Sequence, residues 1–287
     1  MARYGIVSDI HGNLEALAAA LAFLDGHARA VDRILCLGDI VGYNADPEPC
    51  LRMVQARRME AIAGNHDLIT SRVLGLARCS DKAAFALRRT RSAVAEATAQ
   101  ALRALPRARI VDDEIALIHG GVADVCQYMR TPRHVEENHA LLKKLAPRAR
   151  ICLFGHTHVQ ALYEVHRGVA TELPLGEGEE VPLDGLGRRH GDDDDDRVYF
   201  VNPGSVDAAR RGDGHAGVAI LDTDRRVLSF HRVPYDAAAA ERRAEGEGYR
   251  MRWADVQLYR AARTVRRGGR IVRAGVRRAL GAGSQAR

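Results

Sequence analysis

Five short apolar runs in this chain each end on side chains able to hold a metal ion. They are Val7-Ser8-Asp9-Ile10-His11, Ile34-Leu35-Cys36-Leu37-Gly38-Asp39, Ile62-Ala63-Gly64-Asn65-His66, Leu117-Ile118-His119 and Phe154-Gly155-His156-Thr157-His158. A short apolar run reads as a buried strand, and open α/β sheets gather their chemistry at the carboxyl ends of such strands. Any one of these pieces alone is ordinary loop capping. Five in succession, each just past a strand, point to one metal site with Asp39 at its centre. The mixture of carboxylate, imidazole and amide suits Mn²⁺, Fe or Zn²⁺ better than Ca²⁺ or a structural thiolate zinc. Two divalent ions held close together repel, so a carboxylate must bridge them, and Asp39 is the candidate. A hydroxide shared by two ions about 3.5–4 Å apart is nucleophilic at neutral pH and suited to in-line displacement at phosphorus.

The elements that must position these residues begin with a strand over Arg3–Ser8. Asn13 then caps a helix whose Leu14, Leu17, Leu21 and Leu24 repeat at three- and four-residue spacing. Val31–Leu37 is the second strand, so the chain opens as a βαβ unit on a parallel sheet. Asp46-Pro47 starts the next helix, and Met59–Ala63 is a strand. Residues 68–105 read as two helices broken near Arg78–Asp81. A hairpin turns at Asp112-Asp113, Thr131-Pro132 caps a helix over 133–145, and strands follow at Arg150–Phe154 and Gln160–Val165. Residues 166–197, rich in glycine (Gly168, Gly176, Gly178, Gly185 and Gly187 among them) and carrying the run Asp192–Asp196, lack periodicity and read as a mobile insertion. Strands return at Val198–Val201, Ala216–Leu221 and Val227–Val233. The expected organisation is a domain over 1–236 and a basic amphipathic tail over 237–287.

The chain has 287 residues, 46% hydrophobic and 28% charged, which excludes disorder for its bulk. Its net charge of +6 favours encounter with anionic partners. The five cysteines are odd in number, scattered and without a CxxC pair, as expected of reduced thiols in a cytoplasmic protein. No long uncharged apolar run and no signal-peptide pattern is present, which also favours the cytoplasm.

Taken in order, the five motifs resemble the calcineurin-like metallophosphoesterases. Gly38-Asp39-Ile40-Val41-Gly42-Tyr43 before Asp46-Pro47, and later Asn202-Pro203-Gly204-Ser205-Val206, are similar to the compact bacterial and archaeal phosphodiesterase branch. The resemblance covers roughly residues 3–236 apart from the insertion. It implies an α/β fold, a two-sheet sandwich flanked by helices, to which the sequence adds the basic helical tail. It also implies two divalent metal ions, Mn²⁺ ahead of Fe or Zn²⁺. Asp9, His11 and His158 would hold one, Asn65, His119 and His156 the other, and Asp39 would bridge them. His66 would be the catalytic residue that stabilises the transition state or protonates the leaving oxygen. Phosphoprotein phosphatases of the superfamily carry Asp and Arg where this chain has Gly42 and Tyr43, so a phosphoprotein substrate loses support. What orients His66 stays open between Asp67 and a backbone carbonyl.

The expected activity is hydrolysis of a small phosphodiester or nucleotide by attack of a metal-bridging hydroxide. The rivals are a catalytically silent binding scaffold of the same fold and a nuclease. Arg210, on the loop after Ser205, is a candidate substrate contact. His134 and His139 are expected to be solvated on their helix. From Met251 onward, apolar residues at helical spacing run among arginines, a pattern suited to docking on nucleic acid or a membrane surface.

Overall fold

The computed structural model describes residues 2–184, 196–207 and 214–257. Two six-stranded mixed sheets face each other with helices outside them. The first sheet runs in the order β3 (Glu60–Ala61), β2 (Arg33–Cys36), β1 (Arg3–Val7), β11 (His215–Asp222), β12 (Val227–Pro234) and β9 (Glu180–Pro182). In the second the order is β4 (Ala108–Val111), β5 (Ile115–Ile118), β6 (Ile151–Leu153), β10 (Val198–Pro203), β7 (Gln160–His166) and β8 (Val169–Glu172). β1, β2 and β3 are parallel, as are β5, β6 and β10; the outer pairings are antiparallel.

Alternation along each strand divides the side chains between two cores. On β1 and β2, Tyr4, Ile6 and Leu35 point between the sheets, where they meet Leu117, Leu153 and Val201. Val7, Ile34 and Cys36 point outward to α1 (Leu14–Gly26) and α2 (Pro47–Ala56). Burying each of the α1 leucines, Leu17, Leu21 and Leu24, is worth roughly 1.5–3 kcal/mol. Gly5 lets α1 approach, because a Cβ there would lie 2.7 Å from Leu24 Cδ1. Asn13 caps α1 by accepting from the Ala16 N–H at 3.0 Å. Thr131 does the same for α6 (Pro132–Leu145), accepting from the His134 N–H.

Several sequence expectations change. Residues 68–105 form α4 (Asp81–Ala93) and α5 (Glu96–Ala104), but they follow a short α3 (Asn65–Thr70) and a 3₁₀ turn at Leu76–Arg78. The break between α4 and α5 comes from a distant residue. Glu48 of α2 accepts from the Ala95 N–H at 2.8 Å and from the Thr98 hydroxyl at 3.0 Å. Within 166–197, β8 returns on β7 through Arg167-Gly168, both at positive φ, and β9 extends the first sheet by pairing with β12. Such long-range pairing leaves no local period to read. Residues 185–195, which hold most of the acidic run, lie outside the described residues. His139 is buried rather than solvated, on the α6 face that carries Val135 and Leu142 and near Phe200.

The stretch after Pro234 continues into α7 (Ala237–Gly246), which packs on α1 with Ala240 and Ala244 buried. Arg243 pairs with Asp46, and Arg250 donates to the Tyr43 carbonyl and the Asn44 side chain, each at 2.9 Å. Most of the arginine-rich amphipathic pattern, from Leu258 onward, lies outside the described residues. Among the described residues no helix is long and apolar enough to cross a membrane.

Candidate metal centre

The carboxyl ends of β1, β2, β5 and β6 and the start of α3 converge at one edge of the sandwich. Ser8 donates to Asp9 Oδ2 at 2.6 Å, which turns Oδ1 toward His158 Nε2 at 3.2 Å. His11 Nε2 lies 3.0 Å from His158 Nε2 and 3.8 Å from Asp9 Oδ1. On the other side, His119 Nε2 is 3.1 Å from Asn65 Oδ1 and 3.3 Å from Asp39 Oδ2. His119 Nδ1–H donates to the Leu37 carbonyl at 2.7 Å, which aims Nε2 into the site. Two groups are thus spaced to hold a metal ion, Asp9 with His11 and His158, and Asp39 with His119 and His156. His11, Asp39 and His66 form a third set at the same spacing.

The backbone is bent to bring these donors together. Asp9, His11, Asp39, His156 and His158 all have positive φ, between 52° and 66°. A non-glycine residue held there costs of order 1–3 kcal/mol and clusters at functional sites. Gly38, at φ +89°, leaves the room that α3 needs: a Cβ would run into the Gly64 backbone. Asp39 Oδ1 accepts from the His66 N–H at 2.7 Å, in the first turn of α3, where a negative charge is favoured.

The donors fit divalent cations. Asp9, His11, Asp39, Asn65, His119 and His156 are buried, the His158 side chain is 6% exposed, and His156 Nε2 has no hydrogen-bond partner among the described residues. An imidazole nitrogen buried without a partner is costly unless it coordinates. Burial works against the Asp9 carboxylate, but His158 and His119 hold its pKa below the usual range. Burial opposes the charged form of His119 too, yet Asp39 and Asp9 raise its pKa to about 9. A cation at Asp39 would take over that role and displace the proton. His156 is pushed down to about 3, first by burial and then by His119.

A family model for the calcineurin-like phosphoesterase superfamily domain matches residues 2–226. The chain belongs to that superfamily. Members are generally hydrolases, and this chain carries a set of His and Asp side chains that could bind metal. It is 28% identical to an uncharacterized protein of Methanocaldococcus jannaschii over 240 residues, 82% of this chain and 88% of the relative. A solved metallophosphoesterase from Sphaerobacter thermophilus is 28% identical, with a TM-score of 0.70 over 91% of this chain and 98% of that one. A hypothetical protein of Pyrococcus horikoshii shares the fold, with a TM-score of 0.65 at 16% identity over 90% and 98% of the two chains.

Of the two candidates left open for orienting His66, neither Asp67 nor a backbone carbonyl bonds its Nδ1, which has no hydrogen-bond partner among the described residues. Asp67 spends its two oxygens on the Gly64 and Val41 N–H groups, at 2.9 and 3.2 Å, and does not reach the imidazole. Rings hold His66 instead: His11 at 4.6 Å and Tyr43 at 4.8 Å between centroids. Gly42 leaves space for it, since a Cβ there would overlap His66 Nδ1. The Asn202 turn also has a role that turn chemistry alone does not disclose. Asn202 Nδ2 donates to the Gly155 carbonyl at 2.8 Å and to Thr157 Oγ1 at 3.0 Å, while Ser205 Oγ donates to the Asp9 carbonyl at 2.9 Å. One turn therefore braces both loops that carry the first ligand group. Tyr128 stacks on His156 at 4.0 Å between centroids. Neither contact has a signature in the sequence. Arg210, the expected substrate contact, lies outside the described residues.

Proposed function

We propose that this chain is a two-metal phosphoesterase that hydrolyses a small phosphodiester or nucleotide. The observation that carries the reading is the position of Asp39. Its Oδ2 is 3.8 Å from His11 Nε2 and 3.3 Å from His119 Nε2, so one carboxylate borders both ligand groups. In this reading Asp9, His11 and His158 hold one ion, Asn65, His119 and His156 hold the other, and Asp39 is shared. The donor types suit Mn²⁺, Fe and Zn²⁺ alike, and we take Mn²⁺ as the first to test.

Bound ions of this kind neutralise phosphoryl charge and make water acidic enough to attack at neutral pH. The chain's own residues supply orientation and a proton. Ser8 and the His66 N–H fix the two carboxylates, and the Asn202 turn fixes the loops around them. His66 protonates the leaving oxygen. Burial lowers its pKa, and Asp39 opposes that shift; an arriving anionic phosphate favours the imidazolium further. A water oxygen–phosphorus bond forms, the ester P–O bond breaks, and the products are an alcohol and a phosphomonoester. The water proton released in the attack restores His66. Gly42 and Tyr43, in place of Asp and Arg, favour small diesters and nucleotides over phosphopeptides.

Chelator-stripped protein tests the reading. Hydrolysis of bis-p-nitrophenyl phosphate should vanish and return with Mn²⁺, with two ions per loaded chain by metal analysis. One ion per chain, or phosphopeptides winning by kcat/KM, overturns it. We also place the protein in the cytoplasm, a compartment that keeps its free thiols reduced. We assign the arginine-rich residues beyond 257 to docking on an anionic nucleic-acid or membrane surface.

A further inference from the structure

Beside the metal centre a cavity of about 480 Å³ is lined by Asp39, Asn65, His66 and His156. Two more charged residues line it, Arg78 from the loop between α3 and α4 and Asp124 from the loop after β5. Arg78 is the one arginine or lysine among the described residues that line this cavity. Its Nη1 lies 2.8 Å from Asp124 Oδ1, and the two side chains are 60% and 41% exposed. Tyr128 of the second loop stacks on His156, so that loop packs directly on a proposed metal ligand.

Neither loop depends on the ion pair for its shape. Arg91 of α4 holds the first by donating to the Ile69 carbonyl at 2.7 Å and the Leu74 carbonyl at 3.0 Å. In the second, the Asp124 carbonyl accepts from the Gly121 and Gln127 N–H groups, each at 2.9 Å. Asp124 Oδ1 also accepts from the Cys126 N–H at 2.9 Å. The Arg78 side chain can therefore turn away while both backbones keep their bonds. An ion pair this exposed is weak, because water screens it and side-chain entropy opposes it. Arg78 spends only Nη1 on Asp124, and its Nε and Nη2 make no hydrogen bond among the described residues. A guanidinium is a planar fork that can meet two oxygens of one phosphate. Asp124 thus occupies one corner of a fork suited to a better partner.

Taking the phosphodiesterase reading above as its basis, we propose that Arg78 is the residue that grips the substrate phosphate beside the metal ligands. Asp124 is its resting partner. On binding, the guanidinium leaves Asp124 Oδ1 and donates to the non-bridging oxygens of the phosphate. A one-point ion pair is exchanged for a two-point contact inside the cavity. Asp124 then competes with substrate, so the two members of the pair act on phosphate affinity in opposite directions.

The test measures binding of inorganic phosphate to full-length Mn²⁺-loaded protein by calorimetry, beside KM for bis-p-nitrophenyl phosphate. Arg78→Ala should weaken phosphate at least about tenfold, the scale of hydrogen bonds to a charged group. Arg78→Lys should recover part of that loss, since it keeps the charge and loses the fork. Asp124→Asn keeps an acceptor for the Cys126 N–H and removes the competing charge. It should tighten phosphate about two- to fivefold, and KM should move in the same directions. A pair that only ties the two loops together would make the Ala and Asn variants both bind phosphate more weakly, which overturns the proposal. Full recovery in Arg78→Lys, an unchanged Kd in Arg78→Ala, or no phosphate binding by the unaltered protein also overturns it. If Arg78→Ala fails to fold, the sign of the change in Asp124→Asn still decides. Phosphate affinities that follow the expected order without turnover of any diester overturn the phosphodiesterase reading and leave Arg78 as a phosphate contact.

Discussion

Gly42 lies directly against the imidazole of His66, with its carbonyl bonded to Thr90 Oγ1 at 2.8 Å and its φ at +147°. Any side chain at this position would displace His66 Nδ1 and strain the backbone. Gly42→Ala should therefore lower kcat at least about tenfold, by moving the general acid proposed above out of reach. The bound metal should remain, since Gly42 is not among the donors. Steady-state kinetics with metal analysis on the same sample checks both halves.

Asp39 and His66 should separate by what they lose. Asp39→Asn removes the charge shared between the two ligand groups, so metal content and rate should fall together. His66→Ala should keep the metal and cost on the order of 10²–10⁴ in kcat, the range for a general acid. Metal loss in the His66 variant would reassign that residue as a ligand, in keeping with its spacing to His11 and Asp39.

Arg250 ties the segment after α7 to the loop beside the metal centre. It reaches the Tyr43 carbonyl, Asn44 and Glu241, and its side chain is 22% exposed. Arg250→Ala should destabilise the fold by about 1.5–3 kcal/mol, the range for hydrogen bonds to a charged group. Urea denaturation measures that loss. Because Tyr43 in turn contacts His66, KM and kcat should both worsen for diester substrates.

Truncation after residue 257 should leave hydrolysis of small diesters intact. Binding of the full-length chain to RNA, DNA or anionic vesicles should weaken with salt and weaken further on truncation. Unchanged binding by the truncated protein would remove the arginine-rich stretch from that role.

The candidate metal donors are legible in the sequence because each motif is local. A strand of apolar residues, a glycine and an Asp, Asn or His occupy consecutive positions, and strand ends in an α/β sheet share one edge. The Asn13 and Thr131 caps and the alternation that sorts Leu35 from Cys36 are local for the same reason. Other features depend on residues far apart in the chain. Glu48 ends α4 by reaching Ala95, and β9 finds β12 across the first sheet. Asn13 meets Asp207 across 194 positions. Asp67, the local candidate for orienting His66, is taken by backbone N–H groups, so packing of His11 and Tyr43 does that work. No period or motif encodes those meetings, because a side chain's partner is decided by how the sheets and helices pack. The residue types thus announced which chemistry the chain is equipped for. Tertiary structure alone decided how His66 is held, how the left-handed loops are braced, and that Arg78 meets Asp124 beside the centre.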